Sequence, residues 1–208
     1  LVDRPIIHYA VEEAVASGIQ QVIIVTALGK HAIEDYFDRS FELEYSLEKK
    51  GDGKRLAEVR HITELADISY VRQKGAQGLG HAVLTARGLG GDEPFALFLP
   101  DDIIEAPIPC KKQMLEVYQR YRCSVLAVEA VPHEEISSYG VIDPVPAGER
   151  LYQVKDLVEK PGVKEAPSNL ALVGRYILTP QIFDALEQTA PGRNDELQLT
   201  DGLRLLLR

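Results

Sequence analysis

Apolar positions along the chain predict helices that alternate with short strands. Near the start, five apolar residues fall on one helical face: Ile7, Ala10, Val11, Ala14 and Val15. Asp3 is placed to cap this helix, and Gly18 follows its last apolar position. Residues 22–25 form an apolar, β-branched run that is typical of a strand covered on both faces. A second helix is expected at residues 32–37.

The rest of the chain continues this pattern and then changes character. Residues 41–65 are polar and helix-favouring around Gly51-Asp52-Gly53, which predicts an exposed helical excursion whose charges form a solvated face. Further strands are predicted at residues 68–71, 95–99, 124–128, 140–143, 152–158 and 170–178. Further helices are predicted at residues 79–86, 112–120, 180–187 and 197–206. This order predicts an α/β fold, with a Rossmann-like mixed, mostly parallel sheet flanked by helices, and ligands at the carboxyl ends of its strands.

Composition narrows the class of protein. The chain has 208 residues, of which 45% are hydrophobic, and it contains no linker-like segment, so we expect a single domain over residues 1–208. The net charge of −9 argues against nucleic acid as a partner. The two cysteines, Cys110 and Cys123, indicate a reducing compartment, and the sequence shows neither a membrane span nor a signal peptide. We therefore expect a cytoplasmic protein.

An acidic pair follows the predicted strand at residues 95–99. Asp101 and Asp102 come directly after Pro100, at a strand end where a ligand would bind. Two carboxylates on a short turn suit Mg²⁺, which prefers oxygen ligands and keeps water and phosphates in its shell. Capping of the loop is an equally good explanation of the pair from spacing alone.

A glycine-rich stretch lies between a predicted strand and a predicted helix, at residues 73–82. Its glycines would let the backbone approach a flat ring or a phosphate. The stretch matches neither a Walker loop nor the G-x-G-x-x-G pattern, so a tight turn with glycines for backbone reasons is the favoured explanation when the stretch is considered alone. His81 within it is better explained as a packed or capping residue than as a catalytic base.

Glu159-Lys160-Pro161 ends another predicted strand. A carboxylate can accept hydrogen bonds from sugar hydroxyls, and the neighbouring ammonium can pair with a phosphate. A surface ion pair is the simpler explanation when these residues are considered alone. Gly140 and Gly174 each interrupt an apolar strand-like run, which marks a bulge or a place where a ligand comes close.

These segments together resemble one known family. The matching stretches are residues 1–5, 40–44, 71–73, 78–83, 91–94, 99–101, 139–141, 158–161, 166–171, 172–176 and 195–201. Each match is short, but their order along the whole chain is specific. The chain closely resembles the bacterial UTP–glucose-1-phosphate uridylyltransferases, a branch of the sugar-nucleotide pyrophosphorylases. The resemblance implies the nucleotide-diphospho-sugar transferase fold.

The resemblance also implies an activity and a site. The reaction would convert UTP and glucose 1-phosphate to UDP-glucose and pyrophosphate, with Mg²⁺ as cofactor. Roles carried over by position place the uracil at Gln73 and Gly78, Mg²⁺ at Asp101, and the sugar phosphate at Lys160. The sugar would lie among Asp102, Gly140, Glu159, Leu172 and Gly174. The family generally forms dimers or tetramers, so a homo-oligomer is expected.

The sequence departs from the family at both ends. The family's chain begins earlier, with a first strand and a G-x-G-T-R loop, and it continues past Arg208 with a further acidic segment. We therefore expect this polypeptide alone to be inactive or nearly so. Since the first strand is central in the family's sheet, we also expect an interrupted sheet with two unpaired edges.

Three other functions remain open from the sequence. A glycosyltransferase that consumes UDP-glucose could share such a sheet, although it would carry a D-x-D motif where this chain has adjacent aspartates. A thymidylyl or adenylyl transferase of the same superfamily would differ only in a few pocket contacts. A regulatory or scaffold module could keep the nucleotide-sugar pocket without catalysis.

Overall fold

A computed structural model describes residues 4–207, and the predicted capping residue Asp3 lies outside them. The helices are α1 (Ile6–Ala16), α2 (His31–Phe37), α3 (Phe41–Lys49), α4 (Gly53–Thr63), α5 (Leu79–Thr85), α6 (Arg87–Gly90), α7 (Cys110–Tyr121), α8 (Gln181–Gln188) and α9 (Leu199–Leu205). The strands are β1 (Gln21–Thr26), β2 (Asp67–Arg72), β3 (Phe95–Phe98), β4 (Val125–Ala130), β5 (Gly140–Gly148), β6 (Leu151–Glu159) and β7 (Leu170–Leu178). The predicted α/β alternation is confirmed.

The strands form a mixed arrangement, as predicted, but parallel pairs do not dominate it. β1 and β2 pair in parallel, whereas β3, β4 and β5 each pair antiparallel with β7, and β6 pairs antiparallel with β5. The expectation of a mostly parallel sheet is therefore corrected for the directly paired strands. The physical reason is that β5 and β6 form a hairpin, and that β7 runs antiparallel to β3, β4 and β5. Antiparallel neighbours such as β5 and β6 can be joined by a short turn, whereas parallel neighbours need a crossover connection.

The strands are divided between two sheets. β1 and β2 form one sheet, and the other is built from β3, β7, β5 and β6 in that order with β4 added on β7. Within residues 4–207, β1 is paired only with β2 and β3 only with β7. The expectation that a missing first strand interrupts the sheet stays a prediction. The single-domain assignment over residues 1–208 stays a prediction.

Each sheet has its own hydrophobic cluster. The larger cluster lies between the five-stranded sheet and helices α5, α8 and α9, and includes Ile142, Leu157, Leu178, Ile182 and Leu186. The smaller cluster joins α1, β1 and α2 through Val11, Ile24 and Phe37. None of the helices in the described part of the chain is long and apolar enough to cross a bilayer.

The helical excursion contains a buried charge, which corrects the expectation that its charges are only a solvated face. Glu44 on α3 is 3% exposed. Its carboxylate accepts hydrogen bonds from Arg39 at 2.6 and 2.9 Å and from Arg60 on α4 at 3.0 Å. The bonds from Arg39, followed by that from Arg60, lower the pKa of Glu44 from 4.5 to about 2. Glu44 therefore joins α3 to α4.

The substitution Glu44→Gln is expected to lower the melting temperature, because a neutral amide cannot accept charge-assisted hydrogen bonds from both arginines. The folded pKa lies below the ordinary value, so this stabilisation is complete above pH 4.5 and is lost as the pH falls towards 2. Thermal melts of both proteins across that range should show a shrinking difference. Glu48→Gln, at an exposed position of the same helix, is the control, and a pH-independent difference would contradict the assignment.

Candidate functional site at the carboxyl end of β3 and on β7

The acidic turn after β3 is hydrogen-bonded to the middle of β7. Asp101 is exposed, whereas Asp102 is partly buried and accepts the N–H of Gly174 through Oδ2 at 2.7 Å. The N–H of Leu99 donates to the carbonyl of Gly174 at 2.8 Å. A Cβ on Gly174 would lie 2.5 Å from the Cβ of Leu99 and 2.8 Å from Oδ2 of Asp102. Only glycine therefore allows the turn to lie this close to β7.

Three carboxylates act electrostatically on one tyrosine of β7. Gly174 and Tyr176 lie on the same face of the strand, because side chains two residues apart point the same way. Tyr176 is buried, and burial raises the pKa of its hydroxyl. The negative charges of Glu159, Asp102 and Asp101 raise that pKa further, in this order.

The predicted sugar-binding residues lie together around Glu159. Strand pairing places Gly140 opposite Glu159. A Cβ on Gly140 would lie 3.0 Å from Cδ1 of Leu172 and 3.2 Å from Oε2 of Glu159. The hydroxyl of Thr200, on α9, donates to the same Oε2 at 2.6 Å. Glu159 is therefore held in one orientation by a buried threonine.

An open cavity of about 370 Å³ lies beside Glu159 and Lys160. Lys160 has a left-handed backbone, with φ of 44°, and its N–H donates to the carbonyl of Tyr139 at 3.0 Å. Its Nζ lies 4.0 Å from Oε1 of Glu159, and its side chain is exposed. The ammonium and the carboxylate therefore face the same cavity, which is lined by Ser137, Ser138, Glu159, Lys160, Asn194, Glu196 and Gln198.

The predicted base-binding residues lie at the end of β2 and the start of α5. The amide Nε2 of Gln73 donates to the carbonyl of Gly78 at 3.2 Å and to Nδ1 of His81 at 2.9 Å. His81 is thus a packing partner of Gln73, as expected. Gly78 has φ of +92°, and a Cβ there would lie 2.6 Å from the carbonyl oxygen of Leu197. The close approach at Gly78 is therefore made by the protein's own backbone.

The segment before α9 connects these two groups of residues. The N–H of Leu197 donates to the carbonyl of Gln77 at 2.9 Å, and the N–H of Gly80 donates to the carbonyl of Leu197 at 2.8 Å. The flanking residues Glu196 and Gln198 line the cavity beside Glu159. One short segment therefore contacts both the glycine-rich stretch and the Glu159 cavity.

Four residues of the site were not singled out from the sequence: Glu13, Lys111, Arg175 and Thr200. Arg175 and Thr200 lie inside stretches that carry the family resemblance, so the resemblance was the sequence signal that could have marked them as site residues. Lys111 is fully buried behind the site, where Nζ donates to the carbonyls of Leu97 on β3 and Tyr176 on β7 at 2.9 and 2.7 Å. Burial, followed by the charge of Arg175, lowers the pKa of Lys111 from 10.5 to about 7.

The acidic turn offers few protein ligands to Mg²⁺. In the range 4–207, no three His, Cys, Asp or Glu side chains are grouped closely enough to hold a metal ion by themselves. Asp101 is exposed, and Asp102 uses one oxygen to accept the N–H of Gly174. This donor set fits Mg²⁺, because that ion is commonly held by one or two carboxylates together with water and substrate phosphates.

The pKa of Lys111 predicts how stability depends on pH. Between pH 7 and 10.5 the unfolded chain binds more protons at this residue than the folded protein does, so stability rises with pH across this interval. Relative to Lys111→Met, the wild-type free energy of unfolding should gain up to about 1.4 kcal/mol per pH unit above pH 7 and stay level below it.

Urea unfolding at several pH values on either side of 7 measures this difference. Lys112→Met, at the next and exposed position, serves as the control and should show no such slope. A wild-type advantage that falls as the pH rises above 7 would contradict a lowered pKa at Lys111.

Comparisons with known proteins agree with this geometry. A family model described as nucleotidyl transferase matches residues 1–208. The chain is 50% identical over 206 residues to the UTP–glucose-1-phosphate uridylyltransferase of Bacillus subtilis (strain 168), which covers 99% of this chain and 70% of that protein. The enzyme of the same name from Staphylococcus haemolyticus (strain JCSC1435) is 51% identical over 203 residues, or 98% of this chain and 70% of that protein.

Solved structures of UDP-glucose pyrophosphorylases are also similar to this chain in fold and sequence. A UDP-glucose pyrophosphorylase complexed with UDP-glucose matches with a TM-score of 0.89 and 48% identity, covering 99% of this chain and 76% of that one. The UTP-bound enzyme from Acinetobacter baumannii matches with a TM-score of 0.89 and 42% identity, covering 99% of this chain and 72% of that one. The chain therefore belongs to the nucleotidyl transferase family, in the branch formed by the UTP–glucose-1-phosphate uridylyltransferases.

Proposed function

We propose that the protein transfers a uridylyl group from UTP to glucose 1-phosphate and so forms UDP-glucose and pyrophosphate. The main support is that the chain is about half identical to enzymes with this name, and that it holds Asp102 on Gly174 of β7 and Glu159 on Thr200 by hydrogen bonds. Carboxylates at this position can serve both a metal-bound triphosphate and a sugar.

The reaction exchanges one phosphorus–oxygen bond for another. A phosphate oxygen of glucose 1-phosphate attacks the α-phosphorus of UTP, and the bond from this phosphorus to the oxygen bridging to the β-phosphate breaks. Pyrophosphate leaves with that bridging oxygen. Because both reactants are anions, catalysis depends mainly on positioning and on charge neutralisation. Lys160, with an exposed ammonium beside the cavity, is the residue that we assign to the sugar phosphate.

Glu159 is the residue that we assign to the sugar hydroxyls. Its Oε2 accepts from Thr200, and its Oε1 faces Lys160. A carboxylate has about four lone-pair sites, so it can still accept hydrogen bonds from two hydroxyls. We assign Gly140, Leu172, Gly174 and Asp102 to the sugar pocket from the resemblance to the family, and the pairing of Gly140 with Glu159 on neighbouring strands supports the assignment.

Gln73 offers one acceptor to a base. Its Nε2 donates to Gly78 and to His81, so Oε1 is the amide atom that can accept from a ligand. Uracil and thymine can donate their N–H at position 3 to this oxygen, and adenine can donate from its 6-amino group. This contact alone therefore does not separate uridylyl from thymidylyl or adenylyl transfer.

Mg²⁺ is the cofactor that we propose, with Asp101 as its protein ligand. When bound, the ion would neutralise triphosphate charge. Asp102 would act beside it, because its Oδ2 is fixed by the N–H of Gly174. The support for this assignment is the donor set described above.

We further propose that the protein acts in the cytoplasm and forms a dimer or tetramer. The free thiols of Cys110 and Cys123 support a reducing compartment. Self-association rests on the resemblance to the family, and sedimentation velocity would measure the mass of the particle.

Calorimetric titration with UDP-glucose, TDP-glucose and UDP tests the proposed function. The wild-type protein should bind UDP-glucose more tightly than TDP-glucose. Glu159→Gln should weaken UDP-glucose binding by roughly 10- to 100-fold, because a charge-assisted hydrogen bond contributes about 1.5–3 kcal/mol. UDP binding should not change, since UDP carries no sugar ring beyond the ribose.

Glu165→Gln, at an exposed position, is the matched control and should bind all three ligands as the wild type does. A wild-type protein that binds neither UDP-glucose nor UDP would refute the function. Equal losses for UDP and UDP-glucose in Glu159→Gln would refute its role at the sugar. Pyrophosphate release from UTP and glucose 1-phosphate, assayed with the same protein preparations and Mg²⁺, tests whether the 208-residue chain alone is active. Binding of UDP-glucose without pyrophosphate release would favour the non-catalytic alternative for this chain.

Asp101→Asn tests the metal assignment. Adding Mg²⁺ should tighten UTP binding to the wild type, and this gain should fall by roughly 10-fold or more in the variant, since an amide is a much weaker ligand for a hard cation. Affinity for UTP without Mg²⁺ should not decrease. Glu105→Gln, nearby and exposed, is the control. An unchanged Mg²⁺-dependent gain in Asp101→Asn would exclude Asp101 as a ligand.

A further inference from the structure

Arg175 lies on the face of β7 opposite to Gly174 and Tyr176, and it is 1% exposed. Its guanidinium donates to the carbonyl of Leu99 at 2.9 Å and to the carbonyl of Asp102 at 2.8 Å. A third bond joins it to the carbonyl of Gly174 at 3.0 Å. These acceptors are backbone atoms at the two ends of the acidic turn and at its contact point on β7.

The guanidinium therefore spans the turn that carries Asp101. Leu99 and Asp102 flank Pro100 and Asp101 in the sequence, so two bonds from one planar group fix the separation of the two ends of the turn. Arginine suits this task because its donors form a rigid fork. A lysine ammonium is a single point that cannot reach both carbonyls and a third acceptor with the same geometry.

The orientation of the guanidinium is itself fixed from the other side. Nε donates to Oε2 of Glu13 on α1 at 2.8 Å, and the same carboxylate accepts the N–H of Lys111 through Oε1 at 3.1 Å. The guanidinium carbon lies 5.2 Å from the centre of the Phe98 ring. Glu13 compensates the buried charge, so Arg175 has a defined position from which to hold the turn.

We propose that Arg175 is a positioning residue for metal-dependent nucleotide binding, which acts by holding the Leu99–Asp102 turn so that Asp101 meets the metal–triphosphate. The inference rests on the proposed function and on the assignment of Mg²⁺ to Asp101. It deepens that function, because it names the group that sets the geometry of the ligand without touching substrate. A purely structural role would instead weaken all ligand binding in proportion to unfolding.

The test uses Arg175→Lys, which keeps a buried cation beside Glu13, and Arg175→Met, which removes the charge. Arg87→Lys and Arg87→Met are matched controls, since Arg87 pairs with Asp184 and Glu187 on α8, apart from the acidic turn. Calorimetry measures the gain in UTP affinity on adding Mg²⁺ and the affinity for UDP without Mg²⁺, each at a temperature where circular dichroism shows a folded protein.

The Mg²⁺-dependent gain should fall by roughly 10- to 100-fold in Arg175→Lys, as is typical when a group that orients a metal ligand is replaced. Metal-free UDP affinity should stay within about twofold of the wild type, because UDP carries no glucose to meet Asp102 or Gly174, the residues whose carbonyls Arg175 holds. Both Arg87 variants should retain the full gain. If Arg175→Met does not fold, the Mg²⁺-dependent gain in UTP affinity of Arg175→Lys is the test.

An unchanged Mg²⁺-dependent gain in folded Arg175→Lys would overturn the inference, as would an equal loss with and without Mg²⁺. Failure of the proposed function is distinguishable, because it appears in the wild-type protein as absent UDP-glucose binding or as an absent Mg²⁺-dependent gain. Asp101→Asn, measured in parallel, should lose the Mg²⁺-dependent gain in UTP affinity as Arg175→Lys does. If Asp101→Asn keeps that gain, the inference is overturned as well.

Discussion

Strand β7 is the constraint on which the larger sheet and the site both depend. β3 and β4 pair along it, and the β5–β6 hairpin joins it through β5 at Val141, so the sheet cannot be assembled until this late segment of the chain is in place. Its two faces have different tasks. One face presents Tyr176 to the core and Gly174 to the acidic turn, and the other carries Arg175 into a buried polar network with Glu13 and Lys111. The period of two residues along a strand thus separates the binding chemistry from the interactions that fix its geometry.

Much of the fold could be predicted from the sequence, because helix and strand periodicity is local. The position of β7 could not, since pairing between strands depends on residues far apart in the chain. Buried charges were missed for the same reason. Glu44 looks like any acidic residue on an exposed helix until Arg60 is placed beside it, and Lys111 looks solvated until its ammonium is found bonded to Tyr176. The candidate site was found through ordered family motifs, whereas Thr200 and Arg175 emerged only from contacts with residues 41 and 73–76 positions away.

The glycines of the site show what kind of information such residues carry. From the sequence, a glycine in a strand or before a helix indicated a place where a ligand comes close. In the folded chain, Gly78 lies against the backbone of Leu197, and Gly174 lies against Leu99 and Asp102. Both therefore allow segments of the protein to pack closely, and the segments so joined are the ones that carry the acidic turn and the glycine-rich stretch. A glycine reports a close approach, and its partner can be the protein itself.

The segment formed by Glu196, Leu197 and Gln198 has a consequence for how specificity can change over time. Its backbone is bonded to the glycine-rich stretch, and its side chains border the cavity beside Glu159. A substitution that shifts this segment to admit a different sugar also displaces Gln77 and Gly80 at the other end. The residues that we propose for the base and those that we propose for the sugar are thus joined by one short segment of backbone. A descendant enzyme that acquires a new sugar while keeping its base would have to change side chains around this segment and leave its main chain where it is.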